Sequence, residues 1–105
     1  MLSVADLRRL LDPVFDSTLT SRERKTLTVR VERIADGREL FDSDIVESGS
    51  AWLRWAVFGE DGGSAALQLA GGTREMVLSV QSDLQDFLVE TSFAWGELRE
   101  PKDLA

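Results

Sequence analysis

The sequence predicts a two-layer α+β domain: an antiparallel meander sheet of four or five strands, with an N-terminal and a C-terminal helix on one face. Three observations predict it. Apolar residues recur at helical spacing near both ends of the chain. They alternate at strand spacing in between, and glycine-bearing turns separate the alternating segments.

The first element is a helix over residues 3–11, with Ser3 as N-cap and Val4, Leu7, Leu10 and Leu11 on one face. Pro13 ends it, or opens a second short helical piece capped by Asp12. Residues 21–25 read as a charged connector. Residues 26–34 alternate, with Leu27, Val29 and Val31 on one side and Thr28, Arg30 and Glu32 on the other. Asp36-Gly37 is a two-residue hairpin signal that returns the chain through residues 38–41. Residues 42–50 are acidic and serine-rich, a loop with a brief extended Ile45-Val46.

Residues 51–59 form the next strand, and Glu60-Asp61-Gly62-Gly63 reads as a turn into a further strand over residues 65–70. Gly71-Gly72 then turns the chain into a strand over residues 73–80. In that register Leu67 faces Met76 and Ala65 faces Leu78. Ser82-Asp83-Leu84-Gln85 is a capping-box pattern opening the last helix, whose stripe is Leu84, Phe87, Leu88, Thr91 and Trp95. At 105 residues the chain fits one domain, expected over residues 1–97, with residues 98–105 a loose tail.

The absences narrow the chemistry. The chain contains no His, Cys, Tyr or Asn. It therefore lacks the usual general acid/base near neutral pH, a thiolate nucleophile and the commonest metal ligands. No enzymatic activity, cofactor or metal site is expected. Asp42, Ser43, Asp44 and Glu47 lack the glycine and distant glutamate of a calcium loop, and read as a solvated acidic turn. The glycine pairs lack the lysine of a phosphate loop.

Net charge is −7, unevenly spread: residues 1–35 carry +2 and residues 36–105 carry −9. An acidic body with one diluted basic cluster (Arg22, Arg24, Lys25, Arg30, Arg33) and no interleaved aromatic argues against a nucleic-acid partner. No apolar run reaches membrane-spanning length, and the start of the chain does not read as a secretion signal, so a cytoplasmic protein with no membrane partner is expected. Ten of the twelve basic residues are Arg, a usage that fits a high-GC bacterial genome.

The most informative stretch is Trp52-Leu53-Arg54-Trp55-Ala56-Val57-Phe58. It carries large side chains at both odd and even positions, so a strand here must be covered on two sides. Parity assigns Leu27, Val29, Val31, Leu53, Trp55, Val57, Leu67, Leu69, Met76, Leu78 and Val80 to an inner face. Each large side chain there is worth roughly 1.5–3 kcal/mol of burial. The opposite face receives Thr28, Arg30, Glu32, Trp52, Arg54, Ala56, Phe58, Ala66, Gln68 and Val77.

Three coverings compete for that second face. Loop 42–50 or the tail folds over it; a protein partner or a second copy of the chain binds it; or it cups a small ligand, with Arg54 or Arg30 taking a carboxylate. Trp and Arg are the residues most enriched in binding hot spots. We therefore expect a non-catalytic interaction module of the adaptor, chaperone or immunity type. Its partner-binding residues would be Trp52, Arg54, Phe58, Arg30 and Gln68. A small-molecule sensor or carrier using the same face is the alternative. Phe93, off the helical stripe, is a further candidate contact.

Overall fold

The computed structural model describes residues 2–91. Its elements are β1 (Leu2–Ser3), α1 (Val4–Thr18), α2 (Ser21–Thr26), β2 (Thr28–Arg33), β3 (Glu39–Leu40), β4 (Ile45–Val46), β5 (Ala51–Val57), β6 (Glu60–Gly63) and α3 (Thr73–Glu90). Two antiparallel sheets form: a small β1-β4 pair, and a four-stranded sheet in the order β3-β2-β5-β6. The α+β class, an antiparallel four-stranded sheet and a helix towards each end are as the sequence predicts; the order is not the expected meander, since β2 lies between β3 and β5.

α1 begins at a full capping box, in which Ser3 Oγ accepts the Asp6 N–H and the Asp6 carboxylate accepts the Ser3 N–H. Its buried face is Val4, Leu7, Leu11, Val14, Phe15 and Thr18. The helix runs straight through Pro13, contrary to the expected break. The apolar positions on both sides of Pro13 share one stripe, and burying that stripe outweighs the lost N–H. Residues 21–25 are not a connector. Thr20 and Glu23 form a second capping box that starts α2.

Residue pairing in the central β2-β5 ladder places Val29 opposite Trp55 and Val31 opposite Leu53. Leu40 of β3 extends that row beyond Val31 and is buried. The β2-β3 connection is a four-residue loop rather than a two-residue turn: the Arg33 N–H donates to the Arg38 C=O, and Gly37 (φ 67°) closes it. The difference is two residues of register, so the same faces stay inward. Ile45-Val46 is extended, as expected, and pairs with the start of the chain.

Three expectations between residues 58 and 80 are corrected. Glu60–Gly63 is a strand, β6, and the turn is Phe58-Gly59, both at positive φ (49° and 77°). This is the geometry of a two-residue primed turn, whose twist suits a hairpin. Residues 65–70 are not a strand. Ser64 N–H donates to Leu53 C=O and Leu67 N–H to Ala51 C=O, while Ser64 Oγ and Leu67 C=O accept from the Leu53 and Gly49 N–H groups.

Residues 73–80 are the first half of α3, not a strand, so the Leu67–Met76 and Ala65–Leu78 strand pairings do not exist. Met76, Val80, Leu84 and Leu88 are buried at fourth-residue spacing, while Leu78 is 49% exposed and leaves the predicted core. Ser82 is interior to this helix and caps nothing. Trp95, Phe93 and the expected boundary at residues 97–98 lie outside the described residues.

Both long helices lie on the odd-numbered face of the sheet. Phe15 of α1 and Phe87 of α3 meet the buried Trp55 edge-on, with ring centroids 6.4 and 5.9 Å away. Val31, Leu53, Trp55 and Val57 are sealed between sheet and helices. Among the described residues no helix is long and apolar enough to cross a membrane.

Candidate interaction face

The even-numbered face of the same sheet is the candidate site. Along β5 burial alternates strictly: Leu53, Trp55 and Val57 are buried, while Trp52, Arg54 and Ala56 are only half-buried. Register places Trp52 beside Glu32, Arg54 between Arg30 and Gly63, and Ala56 between Thr28 and Asp61. Glu39 extends the first row, opposite Glu32. Four strands thus present a surface, open among the described residues, with two arginines at its centre and acids at its ends.

Glu32 organises the face. One carboxylate oxygen accepts from Arg30 Nε at 2.6 Å and the other from the Trp52 indole N–H at 3.3 Å. The Arg30 guanidinium, and after it the indole N–H, hold the Glu32 carboxyl below the usual carboxylate range. Glu32, with Asp61 and Glu39 further off, raises Arg30 in turn.

Arg54 is treated differently. Its guanidinium lies over Trp52, 6.0 Å from the ring centroid, and Nη1 reaches across Gly63, where a Cβ would come within 2.9 Å. The missing side chain at Gly63 leaves room for that conformation. Among the described residues Arg54 has no carboxylate within ion-pair distance. The other arginines in that condition, Arg22, Arg38 and Arg74, are exposed, whereas Arg54 is half-buried in a sheet.

The structure brings together three of the five expected residues, Trp52, Arg54 and Arg30. Phe58 sits at the hairpin tip, 48% exposed, with its backbone N–H donated to Thr26 Oγ1; it does not continue the Trp52–Arg54 row. Gln68 leaves the sheet altogether, its amide lying beside Gly49. Ala66 and Val77 also fall outside the face, in the 64–69 segment and on α3. Glu32, which strand parity already assigns here, and Asp61 and Glu39 complete it. The membership of Glu39 and Asp61 depends on the β2-β3 and β5-β6 registers, and the unexpected turn at Phe58 hides the second.

Loop 42–50 runs elsewhere. Asp42 and Asp44 backbone carbonyls accept from Ala5 and Val4, and the Asp44 carboxylate accepts the Phe41 N–H, so this loop closes on the start of α1. Asp42 approaches Arg8 at 3.6 Å. These acids fasten a turn. Among the described residues no group of three or more Asp or Glu side chains gathers as a metal site.

Among the described residues, cavities of about 240 and 230 Å³ lie off this face: one between residues 64–71 and the start of α3, the other between α1 and β2. No protein-family profile, curated protein or solved structure matches this chain.

Proposed function

We propose that this chain is a non-catalytic interaction module that binds a protein partner, or a second copy of itself, through the open face of Trp52, Arg54, Arg30 and Glu32. The observation that carries the reading is Arg54: a guanidinium stacked on a tryptophan, half-buried, with no carboxylate supplied by the described residues. Arg–Trp stacks of this kind are hot-spot chemistry, because a partner that covers the pair desolvates the cation–π contact and supplies the missing acceptor. Both cavities described above lie off this face, which favours a macromolecular contact over an enclosed small ligand.

Light scattering coupled to size exclusion, on wild type and Trp52→Ala, tests self-association directly. A dimer that Trp52→Ala and Arg54→Glu both dissociate supports a second copy as the partner. If wild type is monomeric, the face must instead bind a different protein. Affinity capture on wild type, repeated with both variants, then has to return a partner that the variants lose. A monomer with no partner sensitive to Trp52 or Arg54 overturns the reading.

A further inference from the structure

A separate surface lies at the free edge of β2. In the β2-β5 ladder the even residues of β2 point their N–H and C=O groups at β5: the same alternation places Ile34 N–H on Ser50 C=O and Thr26 Oγ1 on Phe58 N–H. The odd residues therefore point the other way. Arg33 and Val31 meet the β3 side there, where Arg33 N–H donates to Arg38 C=O and Val31 pairs with Leu40.

β3 is only two residues long, and the chain leaves the sheet at Phe41. Val29 is the next odd residue along the edge, and among the described residues no strand stands opposite it. Its C=O is taken by a side chain instead, Arg8 Nη2 at 3.1 Å, and its N–H has no partner among the described residues.

Directly under this edge lies the cavity of about 230 Å³, whose floor is apolar (Leu7, Leu11, Phe15, Leu27 and Leu53) and which Arg8, Asp12 and Arg24 also line. That is below the size of an ordinary small-molecule pocket and suits one aliphatic side chain. An added strand would point the residue opposite Val29 towards the same face as Val29, which is the face of the cavity.

We propose that the free edge of β2 at Val29 binds an extended peptide as an added strand in line with β3. The peptide donates a main-chain N–H to the Val29 C=O, accepts the Val29 N–H, and buries one aliphatic side chain between α1 and β2. The ladder groups specify a strand as occupant, since a helix has no free main-chain groups to offer. Arg8 is the stand-in that keeps the edge closed. Its hold is light: its Asp42 neighbour is 3.6 Å away and mostly exposed, so the guanidinium swings out at small cost.

The test uses a fluorescein-labelled hexapeptide of alternating leucine and threonine, titrated by fluorescence anisotropy against the full chain. Wild type is expected to bind saturably. Val29→Pro removes the outward N–H without touching the β2-β5 ladder and is expected to weaken binding about tenfold or more. The same peptide N-methylated at alternate residues should lose about as much, whether or not Val29→Pro folds. Arg8→Ala frees the Val29 C=O and should tighten binding about threefold or more.

Circular dichroism identifies a variant that has unfolded, in which case the methylated peptide and Arg8→Ala decide. No saturable binding to wild type or Arg8→Ala at about 1 mM peptide overturns the proposal. So does affinity for the N-methylated peptide within about twofold of the parent. Neither result bears on the Trp52–Arg54 face, which is on different side chains.

Discussion

A Cβ built on Gly62 would stand 2.5 Å from Nε1 of Trp55. The two residues face each other across the β5-β6 ladder, and the Phe87 ring converges on the same point from α3. The buried indole N–H has no hydrogen-bond partner among the described residues, and Trp55 packs T-shaped against Phe87. Glycine at position 62 is what lets a strand, a tryptophan and a helix meet at one place. Gly62→Ala forces Trp55 or Phe87 off its site and is expected to cost about 2–4 kcal/mol, read as a lower urea midpoint with the slope unchanged.

Phe58 occupies the first central position of the β5-β6 turn at φ 49°, where its Cβ crowds its own backbone. Asn and Gly are the residues that position favours. Phe58→Asn is expected to raise stability by about 1 kcal/mol in thermal or urea unfolding, provided the phenyl ring, half-exposed as it is, contributes less than the strain it carries. A loss of stability instead would show that packing of the ring holds the turn in place.

An aromatic is a poor signal for a primed turn, so the local pattern puts the break two residues late, at the glycines, and makes a turn of β6. The alternation of Met76, Leu78 and Val80 then imitated a strand over five residues. Spacing over a longer window resolves it: Met76, Val80, Leu84 and Leu88 recur every fourth residue, and only a helix buries all four.

Other signals were legible and unused. Thr20 to Glu23 is a capping box in plain sight, and it begins α2. At the site, strand parity alone found Trp52, Arg54 and Arg30. Asp61 and Arg8 depend on which strands are neighbours, which is long-range information that no local pattern holds.

Pro13 sits inside α1 with its ring exposed. It deprives the Arg9 C=O of the N–H that an unbroken helix would offer. A proline at an interior helix position costs about 3 kcal/mol relative to alanine, part of it recovered because proline stiffens the unfolded chain. Pro13→Ala is therefore expected to stabilise the protein by about 1–2 kcal/mol, visible as a higher melting temperature. It should leave the open sheet face untouched, since the Pro13 ring points to solvent.

The β2-β3 loop carries a pH response whose sign follows from its contacts. Arg33 donates to both Asp36 oxygens, at 3.1 and 2.6 Å, and the Arg38 backbone N–H donates to one of them at 3.1 Å. The Arg33 guanidinium first, and then that N–H, hold the Asp36 carboxyl down to about 2, from an ordinary 3.8. A group depressed in the folded state binds its proton more readily once unfolded, so it favours folding above the unfolded value. That contribution fades as pH falls from near 4 to near 2. Asp36→Ala should accordingly melt below wild type at pH 6, with the gap closing by pH 2 as wild type protonates. Because the pair is exposed, the gap should also narrow in high salt. A difference that stays constant across the acid range would show that Asp36 acts through loop conformation alone and not through its charge.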